Sequence, residues 1–419
     1  MDNELLKKAA AQSVALMMVI FTVSFALQQH RTVLIKASNV EASMMTMQNA
    51  AVMGDIQDPF TQLSMQDETV NSNIQSLEYN PDVQENIDEK LSDKYLKIEK
   101  PQGVNLKVHL DDLYMNQSIK LVITGMKDSV ITDRMISRIH GNDIFQGEPQ
   151  YSEITSYEVN EVDNSVKEVV TKDFGRDICH GITIETGKDP ITNLYTAQIL
   201  IELDSVYTHF IYEDSDYFYI DLRKPSEVFE KVIVIDAGHG GKDAGALSVY
   251  SSSYEKDINL DILLHLKELL MKENIKVYYT RTADDKVFLR PRVTLANAVD
   301  CDYFISIHCN SNEVTGPNGT EVLYYDTEFK GVKASELASI FADEISKTIP
   351  LINRGIVEKS GDDIFIMKKA QVPSILIEVG YMSNIYDMSY LSDSENRKAV
   401  AQGIYNGIIR AYAELGMDD

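Results

Sequence analysis

An α/β fold, with a mainly parallel sheet and helices on both faces, is what the C-terminal half of this sequence predicts. A smaller, mostly β domain and an N-terminal hydrophobic helix come before it. Three observations lead there. From about residue 230 onward, continuous apolar runs of strand length alternate with amphipathic stretches, the pattern of strands buried on both faces. Between residues 104 and 225 the apolar runs are short, β-prone and separated by polar turns. Near the start lies a long uncharged segment.

That segment is "AAAQSVALMMVIFTVSFAL", Ala9–Leu27, preceded by Lys7 and Lys8. Only Gln12, Ser13, Thr22 and Ser24 interrupt it, too few for the polar face of a core helix. Its length is near the minimum for a spanning helix of about 17–25 residues. Residues 1–30 therefore read as a membrane anchor or a signal segment. An uncleaved anchor is the first expectation; a cleaved signal peptide, with Ser24-Phe25-Ala26 as a small-x-small site, is the rival. Either one exports the rest of the chain. Lys7 and Lys8 on one flank face Arg31 and Lys36 on the other, so orientation stays open.

Residues 31–103 are rich in Met, Gln, Asn, Asp and Ser, show no sustained period, and read as a polar stalk. Short helices are expected near Ala37–Met53 and Asp82–Tyr95. Residues 104–225 form the mostly β domain, on runs such as "SIKLVITG", "AQILIEL" and "SDYFYIDL". Its histidines, His109, His140, His180 and His209, have no second ligand at metal-site spacing and read as ordinary. The domain's role is open.

Residues 230–419 then alternate. Strand "KVIVIDAG" leads to helix "DINLDILLHLKELLMKEN", whose Ile258, Ile262, Leu266 and Leu269 form an apolar stripe. Strand "IKVYYTR", a helix around Arg292–Ala298 and strand "YFISIHCN" follow. Then come strand "TEVLYYD", a helix around Ser335–Lys347, strands "IFIMKKA" and "SILIEVG", and a helix over Glu395–Leu415.

The formal charge of −26 excludes nucleic acid as a partner, since phosphate contacts need clustered Lys and Arg. Cys179, Cys301 and Cys309 make an odd count without CxxC. Cys301 and Cys309 end one strand roughly 26 Å apart, at about 3.3 Å per residue, too far to bridge. All three read as small buried hydrophobes.

Three strands of the α/β region end on a ligand-type residue: His239, His308 and Glu378. In open α/β sheets, ligands bind outside the carboxyl ends of the strands, so these side chains share one rim. Glu255, after the loop "LSVYSSSY", folds back toward the same rim. Two histidines and two glutamates suggest a catalytic zinc site, His₂Glu with an open position, the remaining carboxylate serving as base. A phosphate loop is the competing reading of the glycines in "DAGHGGKDAG". It fails because GxxxxGK[ST] is absent and no helix starts directly after the loop.

The blocks "VIVIDAGHGGKDAGA", "EKDINLDILLHLKELL", "CDYFISIHCNS", "NGTEVLYY", "NRGIVEK" and "PSILIEVGYMSN" resemble, in order, those of the zinc-dependent N-acetylmuramoyl-L-alanine amidases of the amidase_3 type. The resemblance runs from about Val232 to the C-terminus. It implies Zn2+ as cofactor and peptidoglycan as substrate, cut at the amide between N-acetylmuramic acid and the L-alanine of the stem peptide. By motif position it makes His239, Glu255 and His308 the zinc ligands and Glu378 the catalytic glutamate. Ala237 stands where many members have proline, and Cys309 where alanine is common. The inhibitory helix that some members insert after the Arg-Gly block is missing from "IVEKSGDD".

Asn310 is a candidate for orienting substrate, with capping of the strand end the alternative. Arg354 is a candidate for a stem-peptide carboxylate, with a structural ion pair the alternative. Asp236 and Asp243 read as supports for the ligands and their loop. A non-catalytic wall-binding or regulatory protein on the same fold is the second function class, disfavoured because all four site positions are filled.

Overall fold

The computed structural model describes residues 87–416, apart from 129, 160–165 and 362–363. The N-terminal hydrophobic segment and the helix expected over 37–53 lie outside the described residues. Among the described residues, no helix is long and apolar enough to cross a membrane.

Eleven strands come first: β1 (Lys94–Glu99), β2 (Gly103–Leu113), β3 (Ser118–Met126), β4 (Ile136–His140), β5 (Asp143–Gln146), β6 (Ser152–Val159), β7 (Val166–Asp173), β8 (Cys179–Lys188), β9 (Tyr195–Leu203), β10 (Thr208–Glu213) and β11 (Tyr217–Arg223). They form sheets of order β10-β11-β1-β4-β5 and β2-β3-β9-β8, with β6 and β7 pairing as a separate hairpin. Alternate residues of both larger sheets, among them Leu96, Ile98, Leu121, Ile123, Ile199, Ile201, Phe218 and Ile220, meet in one core. The first strand corrects the linker boundary. "KYLKIE" lies within residues 31–103 yet pairs antiparallel with both β4 and β11. Its Leu96 and Ile98 alternate into the core, a pattern too short to stand out in a polar stretch. The helix expected over Asp82–Tyr95 is reduced, within the described residues, to the single 3₁₀ turn Ile87–Glu89 before β1.

After a short helix α1 (Pro225–Val228), the second part runs β12 (Val232–Ala237), α2 (Glu255–Leu270), β13 (Lys276–Tyr279), α3 (Leu289–Ala298), β14 (Tyr303–Asn310), β15 (Thr320–Tyr325), the tiny hairpin β16 (Glu328–Phe329) and β17 (Val332–Lys333), α4 (Ala334–Thr348), β18 (Asn353–Lys359), α5 (Phe365–Lys369), β19 (Ser374–Tyr381), α6 (Ile385–Leu391) and α7 (Ser394–Glu414). The sheet order is β13-β12-β14-β19-β15-β18. Its pairs are parallel except β15 with β19. The carboxyl ends of β12, β14 and β19 thus share one edge with the amino ends of β15 and β18.

Every residue of β12 is buried. Ile233 and Ile235 face α2, α4 and α7, whereas Val232 and Val234 face α3 and α5, so both sides of the strand are covered. Burying each such side chain contributes about 1.5–3 kcal/mol. Two elements differ from the sequence expectation. "IFIMKKA" contains a helix, α5, not a strand; Ile366 and Met367 are buried against the sheet from it. A short apolar run fits either element, and only length and flanks separate them. The "NRGIVEK" block forms the edge strand β18. Cys179, Cys301 and Cys309 are buried and unbridged.

Candidate metal centre

The site begins where β12 stops. Gly238 follows the strand, and His239 takes φ +63°, a left-handed conformation that a non-glycine residue holds only with support. The glycines around it leave room that any larger residue would fill. A Cβ on Gly238 would lie 2.2 Å from Cε1 of His308; one on Gly245 would lie 2.6 Å from Oε2 of Glu255 and 2.7 Å from Cδ2 of His239.

His308 enters from β14, and Glu255 opens α2 after an extended Tyr254. Nδ1 of His308 is 2.9 Å from Oε1 of Glu255, and Nε2 of His239 is 3.2 Å from the same oxygen. The three potential ligand atoms all lie within 4.8 Å of one another. Glu255 is only 4% exposed. Its Oε1 also accepts from Cys309 N at 3.1 Å, and Oε2 from Ala246 N at 2.9 Å. Burial works against its charge, but the hydrogen bonds from His239 and His308 outweigh that and hold the carboxyl well below its usual range.

Support comes from both sides. Oδ1 of Asp243 lies 3.0 Å from Nδ1 of His239, which leaves Nε2 facing Glu255 and His308. Asp236, fully buried beneath the loop, accepts from Thr280 Oγ1, Ser306 Oγ and Arg292 Nη1, each at 2.6 Å. Arg292 also donates to the carbonyls of Ala237 and His239, both at 2.7 Å.

Glu378 lies on β19 in register with His308 on β14. Its Oε2 is buried without a hydrogen-bond partner among the described residues. Burial, helped by the charges of Glu255 and Glu321, pushes its carboxyl up to about 7 against the lowering effect of His308. On the other side, Glu321 of β15 is Glu378's antiparallel partner, and its Oε1 accepts from Tyr381 Oη at 2.7 Å and from Arg354 Nε. Arg354 thus sits in an ion pair, with its side chain 42% exposed over the ring of Tyr381. Asn310 accepts from Ser311 N at 2.8 Å through Oδ1, the strand-end cap.

The structure therefore gathers His239, Glu255, His308 and Glu378 at one edge. Glu321, Asn259 and Arg281 also belong to it, although the sequence offered no local signal for them. Asn259, a turn after Glu255 on α2, donates weakly to Glu255 Oε1 at 3.4 Å.

Comparison with known proteins places the α/β region in a family. The N-acetylmuramoyl-L-alanine amidase family, Amidase_3, matches residues 233–410. YqiI of Bacillus subtilis is 35% identical over 182 residues, spanning 43% of this chain and 85% of YqiI. LytC, an N-acetylmuramoyl-L-alanine amidase of the same organism, is 30% identical over 191 residues, spanning 46% of this chain but only 37% of LytC. Among solved structures, the catalytic domain of CwlV, an N-acetylmuramoyl-L-alanine amidase from Bacillus (Paenibacillus) polymyxa var. colistinus, is 34% identical. That match covers 44% of this chain and 98% of the CwlV domain, at a TM-score of 0.40.

Proposed function

This chain belongs to the Amidase_3 family of N-acetylmuramoyl-L-alanine amidases, and from that premise we propose how its own residues cut peptidoglycan. The bond broken is the amide between the lactyl group of N-acetylmuramic acid and the L-alanine of the stem peptide.

His239, Glu255 and His308 hold a zinc ion in this reading. Two imidazoles and a carboxylate are an established catalytic donor set. The cradle left by Gly238 and Gly245 fits it too, since a Cβ at either position would strike a ligand side chain. When bound, zinc supplies Lewis acidity toward the scissile carbonyl and the attacking water. Asp243 fixes the ring of His239 and keeps Nε2 available. Glu378 takes the proton of the attacking water and passes it to the departing amine of L-alanine. A buried carboxyl, whose burial raises its affinity for protons, suits a group that must do both. The observation that carries the reading is the orphaned, buried Oε2 of Glu378 on the strand beside His308. Arg354 offers the exposed side of its guanidinium to a stem-peptide carboxylate, and Asn310, at the end of β14, is the second substrate contact in this reading. The uncharged run Ala9–Leu27, as a membrane anchor or as a cleaved signal segment, supports export of the enzyme to the cell envelope, in reach of the wall.

The test is digestion of purified peptidoglycan by the full chain. Mass spectrometry should find peptides with a new L-alanine amino terminus and glycan with free lactyl groups, and a chelator should abolish both. Glu378→Gln should keep zinc in 1:1 stoichiometry and lose turnover by about 10²–10⁴-fold. A digest with no new termini would leave wall binding without catalysis as the function.

A further inference from the structure

His239 and Glu255 approach the centre from separate segments, and one buried side chain ties those segments together. Arg281, two residues beyond β13 and 4% exposed, spends its donors on backbone carbonyls. Nε donates to Ala237 O at 2.9 Å, Nη1 to Ala283 O at 3.1 Å, and Nη2 to Gly238 O at 2.9 Å and Lys256 O at 2.8 Å. The same guanidinium therefore grips both residues before His239 and the residue after Glu255. Asn259 adds a longer link, from Nδ2 to Gly238 O at 3.3 Å. Arg292 does not duplicate this tie: its acceptors are Asp236, Ala237, His239 and Val287, none of them on α2.

Charge does not explain an arginine here. A buried cation close to a site for a divalent ion opposes that ion. Its rigid planar fork does explain it, because lysine's single ammonium cannot hold carbonyls of two segments at fixed angles. The left-handed backbone of His239 adds the need, since such strain persists only where surrounding structure holds it.

We propose that Arg281 is a positioning residue that sets the separation of His239 and Glu255 for metal capture, acting through the backbone of both segments. The proposal rests on the metal-centre reading above. The two are tested together by titrating metal-free full-length protein with zinc against a chromophoric chelator, for the wild type, Arg281→Met and Arg281→Lys. Thermal unfolding of each metal-free protein shows which variants fold, and Arg281→Lys serves if Arg281→Met does not. The expected result is a zinc dissociation constant raised about 10–100-fold in both variants, the size of effect typical for lost support of a ligand. Cobalt(II)-loaded variants should show altered visible absorption bands, a change that loss of global stability alone does not produce. Unchanged or tighter zinc binding by a folded variant overturns the proposal and leaves the metal-centre reading intact. Failure of the wild type to bind zinc removes that reading, and this proposal with it.

Discussion

At the scale of single residues, the absence of a side chain at Gly238 matters as much as the presence of any ligand. An added Cβ would overlap the leading edge of the His308 ring, with Cε1 at 2.2 Å, Nε2 at 2.3 Å and Nδ1 at 2.6 Å. Gly238 does not have a positive φ, so alanine there is not opposed by backbone strain. The cost falls on the neighbour instead. Gly238→Ala should therefore fold, displace the imidazole, and lower both zinc affinity and amide hydrolysis by at least about tenfold. Isothermal titration of zinc and a turnover assay measure the two effects. Normal affinity would show that His308 is not a ligand. Asp243→Asn gives a graded companion. It keeps an acceptor near His239 Nδ1 but removes the charge, and a zinc affinity lower by up to about tenfold is expected. The four side chains gathered at this edge were legible in the sequence because three lie near the carboxyl ends of apolar strands and the fourth opens a helix. Arg281 was not, because its partners are carbonyl oxygens, which every residue has and no motif announces.

At the scale of elements, α2 links the core to the site. Its first residue is Glu255, while Ile258, Ile262, Leu263 and Leu266 are buried in the core beneath the sheet. Ile262→Ala removes fully buried methyl groups and should cost about 2–5 kcal/mol in chemical denaturation. Because the first turn is held separately by Arg281 and by Glu255 N→Ala246 O, the folded fraction should keep its zinc stoichiometry. Loss of metal in proportion to stability would mean that the helix, not its anchoring at the start, positions Glu255. The strands β12, β14 and β19 could be read from sequence because burial on both faces makes them continuously apolar. The helix α5 could not. "IFIM" satisfies strand and helix alike, and tertiary packing chose the helix. The edge strand β18 escaped for the opposite reason: its Ile356 and Val357 are only half-buried, and its apolar signal is diluted by Asn353, Arg354, Glu358 and Lys359.

For the whole molecule, the β-sandwich and the α/β domain fall within one compact unit. Val206, from the turn between β9 and β10, is 2% exposed and belongs to the same cluster as Val232, Val234, Val293 and Phe304. Tyr114 packs on that cluster, and its hydroxyl donates to Tyr279 O at 2.9 Å; Ser205 Oγ reaches Ala298 O at 3.2 Å. None of this was visible in sequence, because a single valine in a polar turn carries no period. If the shared cluster couples the domains, heating should unfold both in one transition. Val206→Asp places an unpaired charge in it and should cost about 3 kcal/mol or more. Because both domains contribute to the unfolding entropy of a shared transition, that lowers the single melting temperature by roughly 4 °C. Calorimetry shows the outcome, read alongside zinc retention as a report on the α/β domain. Two separate transitions, with zinc release unshifted by the mutation, would mean that the sandwich merely rests on the catalytic domain and adds nothing to the stability of the metal centre.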